Sequence, residues 1–490
     1  MREFAVADSV DLPAEPASPS APEPTRTRAI RLVPRLYWLW PALLTMTCAG
    51  WRLGAPALWA DELATWGAVR LGWGPLVRLG GHVDAVVTPY YALVKLWSTV
   101  AGTSPVALRL PSVLAMGAAA ALLAVLGARV ETRWVGLLAG LTFAVVPATS
   151  RYAQEARPYA FVVLFAILAT LLLLRYVDRP AAGSGLGYAV CVALVGAFHL
   201  LALLLLVAHA VVARRRLVPW AIWAGLGVLP VLPLAWYGYR QSGQIAWIPP
   251  ARPHVILATP DSIFVSAAVG GALIVLGLLA VTRRATVLAL LWWAVVPVAA
   301  LALIGQAVPL FWARYLLYTM PAWVVLAALT LGRLPRGRAL ALVVALALLG
   351  APSQTAARTV DGHSQGTSQA GTVIADGYRP GDAIAYSMRE TAPWVARDVV
   401  SRYVPADRRP ADVFAVGGQR VDGHLAATEC TDLTACLDRT DPPRIWIVRP
   451  HVQTDPLAGM EPAKESLLRS RYHLIRLWLV RDFTVALYAR

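Results

Sequence analysis

A series of long apolar runs between Leu36 and about Leu349 constrains this chain more than any other feature. Each run approaches the ~20 residues that a helix needs to cross a bilayer. Candidate spans lie at about 36–54, 106–128, 133–149, 158–176, 185–198, 199–213, 217–237, 262–281, 285–304, 314–332 and 338–352. The stretch 185–213 is long for one span and short for two, and is divided at Gly196–His199. The expectation is a mainly α polytopic membrane protein of about eleven transmembrane helices. At 58% hydrophobic and 15% charged residues, the composition excludes the water-soluble classes.

The net charge of +16 does not point to nucleic acid. Nearly all of the basic residues are arginines, and they cluster in short loops between the apolar runs. Arg129 and Arg133, Arg175 and Arg179, Arg214–Arg216, Arg283–Arg284 and Arg333–Arg338 all fall on one face if the N-terminus is inside. An alternative count lets Thr88–Val100 span and takes 185–213 as one span. It places Arg129 and Arg133 outside and "SRYAQEARPY" inside. The first count is preferred, with Thr88–Val100 as a helix on the membrane surface, where Lys95 and several aromatics suit an interface.

Residues 1–35 read as a disordered cytoplasmic tail ending in the basic anchor Arg26–Arg35. Residues 36–352 form the transmembrane part. Residues 353–490 are less apolar, and "GDAIAYS", "RIWIVRP" and "FTVALYA" read as short strands of a small extracytoplasmic α/β domain. Cys48 and Cys191 read as core residues. Cys430 and Cys436 would form a disulfide if their region faces an oxidising compartment.

On this topology three segments share the outer face: 55–105, 150–157 and everything after about Ala351. The first holds "ALWADELATW", in which adjacent acids Asp61 and Glu62 lie between Trp59 and Trp66. A carboxylate at a water–lipid boundary is partly desolvated, which suits a general base. The second holds "SRYAQEARPYAF", where Glu155 sits between Arg151 and Arg157. Such a network could bind phosphate, hold a sugar or orient Asp61. "GHVDAVVTPYY" places His82 and Asp84 ahead of Tyr91, and two ligand-type residues do not define a metal site. "PLFWARYLLYTMP" sets Arg314 and Tyr315 at the outer end of a span, where Arg314 could be a snorkelling anchor or a clamp for a lipid phosphate. His199 reads as structural.

In order along the chain, "WADELATW" (59–66), "DAVVTPYYALVKLW" (84–97), "RLPSVLAMGAAAALLAVLGARV" (109–130), "VGLLAGLTFAVVPATSRYAQEARPYA" (135–160) and "RYLLYTMPAW" (314–323) resemble GT-C membrane glycosyltransferases. They look like the family 39-like set of protein mannosyltransferases and aminoarabinose transferases, and among these most like actinobacterial mannosyltransferase-like proteins. The resemblance covers about residues 36–350 and implies a GT-C fold in the plasma membrane. It implies a polyprenyl-phosphate sugar donor and a glycan, lipoglycan or protein acceptor. It assigns Asp61 as catalytic base and Glu155 as second-loop acid. Glu62, Asp84, Tyr91, Arg151, Arg157, Arg314 and Tyr315 become the expected donor and substrate contacts. Relatives carry "DAVH" where this chain has Val87, so His82 is at most a substitute for that histidine. Mannose is the implied sugar and arabinose the alternative; metal dependence is left open. The rival functions are a lipid-linked-sugar transporter or flippase and a non-catalytic envelope-assembly protein. A transporter would carry charges or broken helices at mid-span, and most charges here lie at the ends.

Overall fold

A computed structural model describes residues 35–490, so the tail expected at 1–35 lies, but for Arg35, outside the described residues. Leu36–Arg490 form one compact unit. Near the start lie α1 (Leu39–Gly50), α2 (Ala60–Val69), α3 (Trp73–His82) and α4 (Thr88–Ala101). They are followed by α5 (Pro105–Val130), α6 (Arg133–Val145), α7 (Pro147–Ala153) and α8 (Tyr159–Asp178).

Among the described residues six helices are long and apolar enough to cross a membrane: α5, α8, Leu217–Arg240, Ala285–Ile304, Ala313–Leu331 and Arg336–Ala356. The bent pair α6–α7 makes a seventh. Four shorter apolar helices, Leu39–Gly50, Ala182–Phe198, Leu200–Val212 and Ala267–Leu279, fall in the remaining runs. Each of the eleven apolar runs therefore holds a helix, but only six or seven reach spanning length. Non-helical residues shorten others: the extended His199 separates Phe198 from Leu200, and the extended Ser266 precedes Ala267–Leu279. α4 covers about 21 Å at 1.5 Å per residue, short of a bilayer core of ~30 Å. It buries Tyr90, Tyr91 and Val94 and exposes Leu96 and Val100.

The bend between α6 and α7 is 62°. Val146 adopts an extended ψ of 127°, as a residue before proline prefers, and Pro147 opens α7 without needing a backbone donor. The expected loop 150–157 is therefore helical as far as Ala153 and turns only at Gln154–Pro158. α5 and α6 approach through small residues. A methyl on Gly136 would meet Ala124 O at 2.2 Å, and one on Gly127 would meet Gly136 Cα at 2.9 Å.

Four of the five arginine-rich loops meet at one end of the bundle. Arg129 pairs with Asp178, Arg284 with Glu131 at 2.9 Å, Arg333 donates to Leu279 O, and Arg336 stacks over Trp134. The start of α5, 25 residues from Val130, lies at the opposite end, against Asp61's loop.

Beyond Ala356 the chain builds a mixed five-stranded sheet of order β2-β1-β3-β5-β4. The strands are β1 (Ala383–Ala385), β2 (Ala411–Asp412), β3 (Arg444–Pro450), β4 (His473–Val480) and β5 (Phe483–Ala489). β1 runs parallel to β2 and β3, while β5 is antiparallel to β3 and β4. The three strands read from the sequence are β1, β3 and β5, the interior ones. β4 escapes that reading because it is an edge with exposed residues along its length, Arg476 among them. Cys430 and Cys436 come together as a disulfide pair, and Cys48 and Cys191 are free.

Candidate active site

Asp61 and Glu62 occupy the second and third positions of α2. Consecutive helical residues point about 100° apart, so the two acids face different surroundings. Both lie in the first turn, where the unpaired N–H groups favour negative charge.

Glu62 points inward and is fully buried. Arg109, one turn into α5 and also fully buried, grips it with two bonds, Nε–Oε1 at 2.8 Å and Nη2–Oε2 at 2.6 Å. The rest of the guanidinium donates to the backbone oxygens of Leu53, Pro56 and Ala57. Ala156 N donates to Glu62 Oε1 at 2.8 Å, and His363 Nδ1 lies 3.4 Å from Oε2. Burial alone would raise the Glu62 pKa. The charge and hydrogen bonds of Arg109, helped by His363, hold it well below the usual carboxylate range instead. Burial pushes the His363 imidazole down to about 3, so it is neutral near pH 7. Glu62 thus differs from the sequence expectation. It has no surface to offer a sugar and instead ties the segment 53–62 to α5 and to the turn after α7.

Asp61 points outward, with 25% of its side chain exposed. Its Oδ2 accepts from Arg314 Nη1 at 2.9 Å, and Arg157 Nε stands 3.9 Å away. Arg314 lies between Trp59 and Trp312, 5.1 and 5.7 Å from their ring centroids. These cation–π contacts hold the guanidinium beside Asp61. Tyr315 meets His199 edge-on at 4.8 Å, and Tyr159 meets the same ring edge-on at 6.1 Å. The sequence thus brings Asp61, Arg157, Arg314 and Tyr315 together from three separate segments.

The second-loop acid sits deeper. Glu155 is 1% exposed, 3.6 Å from Arg151 Nη1, and its Oε2 has no hydrogen-bond partner. The nearby Trp59 Nε1, Arg157 Nε and Arg314 Nε are also buried without partners. Burial raises the Glu155 pKa, against the opposing charges of Arg151 and Arg314. A carboxyl raised in this way favours the fold below its ordinary pKa, and that advantage is lost as pH rises through the folded value. Glu155→Gln, neutral and nearly isosteric, should therefore raise Tm near pH 7, by roughly 2–4 °C for ~1 kcal/mol. The gain should vanish below about pH 4.3, the ordinary glutamate value. A Tm lowered near pH 7, with the loss shrinking on acidification, would show that the charged form is the one the fold requires.

Asp84 and Tyr91 satisfy each other: Tyr91 Oη donates to Asp84 Oδ2 at 2.8 Å, and both are buried. Burial raises the Asp84 pKa, while Tyr91, Arg157 and Arg420 pull it back. Asp84 and Tyr91 are thus buried near Arg157 rather than exposed beside Asp61. His82 binds Arg78 O and meets His424 at 5.7 Å. Among the described residues no group of three or more His, Cys, Asp or Glu is placed to hold a metal ion.

Arg109 and His363 are not among the residues that the sequence points to. Arg109 did carry a signal, because a lone arginine early in an apolar helical run must find a partner. His363 carried none.

No protein-family model and no curated protein matches this sequence. Among solved structures the chain is similar to ArnT from Cupriavidus metallidurans in the apo state. That match has a TM-score of 0.55 and 13% identity, and covers 91% of this chain and 97% of that one. The same protein bound to undecaprenyl phosphate matches with a TM-score of 0.51 and 12% identity over the same shares. At such identities the likeness is one of fold: helical bundle and C-terminal mixed sheet together follow the GT-C architecture of ArnT.

Proposed function

We propose that the protein is an inverting glycosyltransferase that moves a sugar from a polyprenyl-phosphate donor to a cell-envelope glycan, lipoglycan or protein. The chemistry takes place on the outer face of the plasma membrane, with residues 353–490 on that side. The observation that carries this reading is the partly exposed Asp61 carboxylate flanked by two guanidiniums. Support also comes from the fold of ArnT, a protein that has been crystallised with undecaprenyl phosphate.

Arg314 and Arg157 bind the donor phosphate, since guanidinium matches its oxygens bidentately. The singly charged phosphodiester of the donor competes with Asp61 for these partners, so donor binding frees the carboxylate; the second negative charge develops on the phosphate only as the sugar leaves. Asp61 then takes the proton of the acceptor hydroxyl. The hydroxyl oxygen bonds to the anomeric carbon from the face opposite the phosphate. The carbon–oxygen bond to the phosphate breaks, and the polyprenyl phosphate leaves with the electron pair, stabilised by the arginines. Glu155 and Arg151 supply buried polar groups beside the sugar. Mannose is the proposed sugar, and arabinose is the alternative that the same assay reads.

The test uses membranes containing the protein, radiolabelled polyprenyl-phosphate mannose or arabinose, and an envelope-glycan acceptor. Transfer by wild type and none by Asp61→Asn supports the reading. Absence of Asp61-dependent transfer from every polyprenyl-phosphate sugar overturns it. In the same assay Arg314→Ala should raise the donor KM by ~10–100-fold, the worth of a charge-assisted contact of about 1.5–3 kcal/mol. An unchanged donor KM would remove Arg314 from the phosphate site.

A further inference from the structure

The turn that carries Asp61 is held from outside the membrane part of the chain. Trp59 stands at the N-cap of α2 and offers no side-chain acceptor to the first helical N–H groups. Gln365 takes that role across 305 residues: its Oε1 accepts from Ala60 N at 2.8 Å. Tyr403 Oη accepts from Leu58 N at 2.7 Å, and Thr367 Oγ1 donates to Leu58 O at 2.8 Å. Ala57 N donates to Val360 O at 2.8 Å. Four backbone groups within Ala57–Ala60 are therefore bonded to chain that follows the last span. Gln365 is itself fixed, because its Nε2 donates to Asp482 Oδ2 at 2.8 Å in the turn between β4 and β5. The sheet thus reaches Asp61 through two hydrogen bonds in series.

From this juxtaposition we infer that Gln365, with Thr367 and Tyr403, is a positioning residue that holds the Asp61 turn in its reactive geometry. The inference rests on the reading of Asp61 as the base. Cutting these bonds loosens the turn without touching the groups that bind donor. The loss should fall on kcat, by ~10–100-fold, since an ångström of misplacement costs about that much. The donor KM should stay within about twofold of wild type.

The test measures transfer kinetics and amide hydrogen exchange of the segment 57–66 in the full-length protein. The variants are Gln365→Ala, Tyr403→Phe, and Gln365→Glu combined with Asp482→Asn. The paired exchange reverses donor and acceptor between 365 and 482 and still offers an oxygen to Ala60 N. Asp482 has φ 59°, a conformation that asparagine accepts, and its other oxygen contact, to His451 Nδ1, suits the asparagine carbonyl. Expected are lower kcat and faster exchange for Gln365→Ala and Tyr403→Phe, with both restored in the paired exchange. Unchanged exchange in the single variants, or a KM that rises in step with the fall in kcat, overturns the inference. If wild type shows no Asp61-dependent transfer, the catalytic reading fails instead. Exchange alone then decides whether these side chains hold the turn.

Discussion

Arg109→Ala should deprive the protein of a stable fold. The variant leaves Glu62 as a lone buried charge and removes donors from the oxygens of Leu53, Pro56 and Ala57. Breaking a buried ion pair from one side costs about 3–5 kcal/mol. Each stranded acceptor adds roughly 1–3 kcal/mol where water does not reach it. The sum rivals the whole stability of an ordinary domain, about 5–15 kcal/mol. The measurement is thermal unfolding of detergent-solubilised protein, followed by size-exclusion chromatography. Arg109→Lys should be intermediate, because an ammonium keeps the charge but cannot reach a carboxylate and three carbonyls at once. Glu62→Gln with Arg109→Met should recover part of the loss, since no lone charge remains. A folded Arg109→Ala with near-native Tm would show that the pair is dispensable. The pH dependence has a definite sign. The folded pKa of Glu62 is lowered, so its stabilisation is present above the ordinary carboxyl value and is lost as acidification passes the folded value. Glu155, raised by burial, acts in the opposite sense.

The sequence made the bundle readable because lipid imposes one rule on every span: backbone groups must bond within the helix, so apolar runs and helices coincide. That is why all eleven runs hold helices, even where Val146 and Pro147 or the extended His199 divide them. It also made Asp61, Arg157 and Arg314 visible, since charges beside apolar runs are few and their positions carry information. Without the family resemblance it could not separate Asp61 from Glu62. Adjacent acids look alike in a string, and only the helical turn that starts at Ala60 sends one toward Arg109 and the other toward Arg314. Nor could it show Gln365, Thr367 and Tyr403. Uncharged side chains that bond backbone groups more than 300 residues away leave no local pattern.

Asp61→Asn should reduce transfer by ~10²–10⁴-fold, the usual worth of a positioned general base, or about 2.7–5.4 kcal/mol in the barrier. Two physical effects are removed together. The amide cannot take the acceptor's proton, and it no longer offers Arg314 and Arg157 a negative partner in the empty site. The second effect works in the opposite direction on binding. Without Asp61 to displace, the donor phosphate meets guanidiniums that are already free, so donor affinity should hold steady or tighten while kcat collapses. Arg314→Ala should do the reverse, weakening donor binding more than it slows the bound complex. This crossed pattern separates a base from a structural acid. A carboxylate that merely anchored Arg314 would lose binding and turnover together when changed to asparagine, and Asp61→Glu would rescue both. A base displaced by one methylene in Asp61→Glu keeps its charge and its hold on the arginines but misses the acceptor hydroxyl, so binding survives and most of the rate does not. Single-turnover kinetics with donor in excess, beside donor-binding isotherms for the same variants, read the two quantities independently. Equal losses in both for Asp61→Asn would move the proton-accepting role away from this residue.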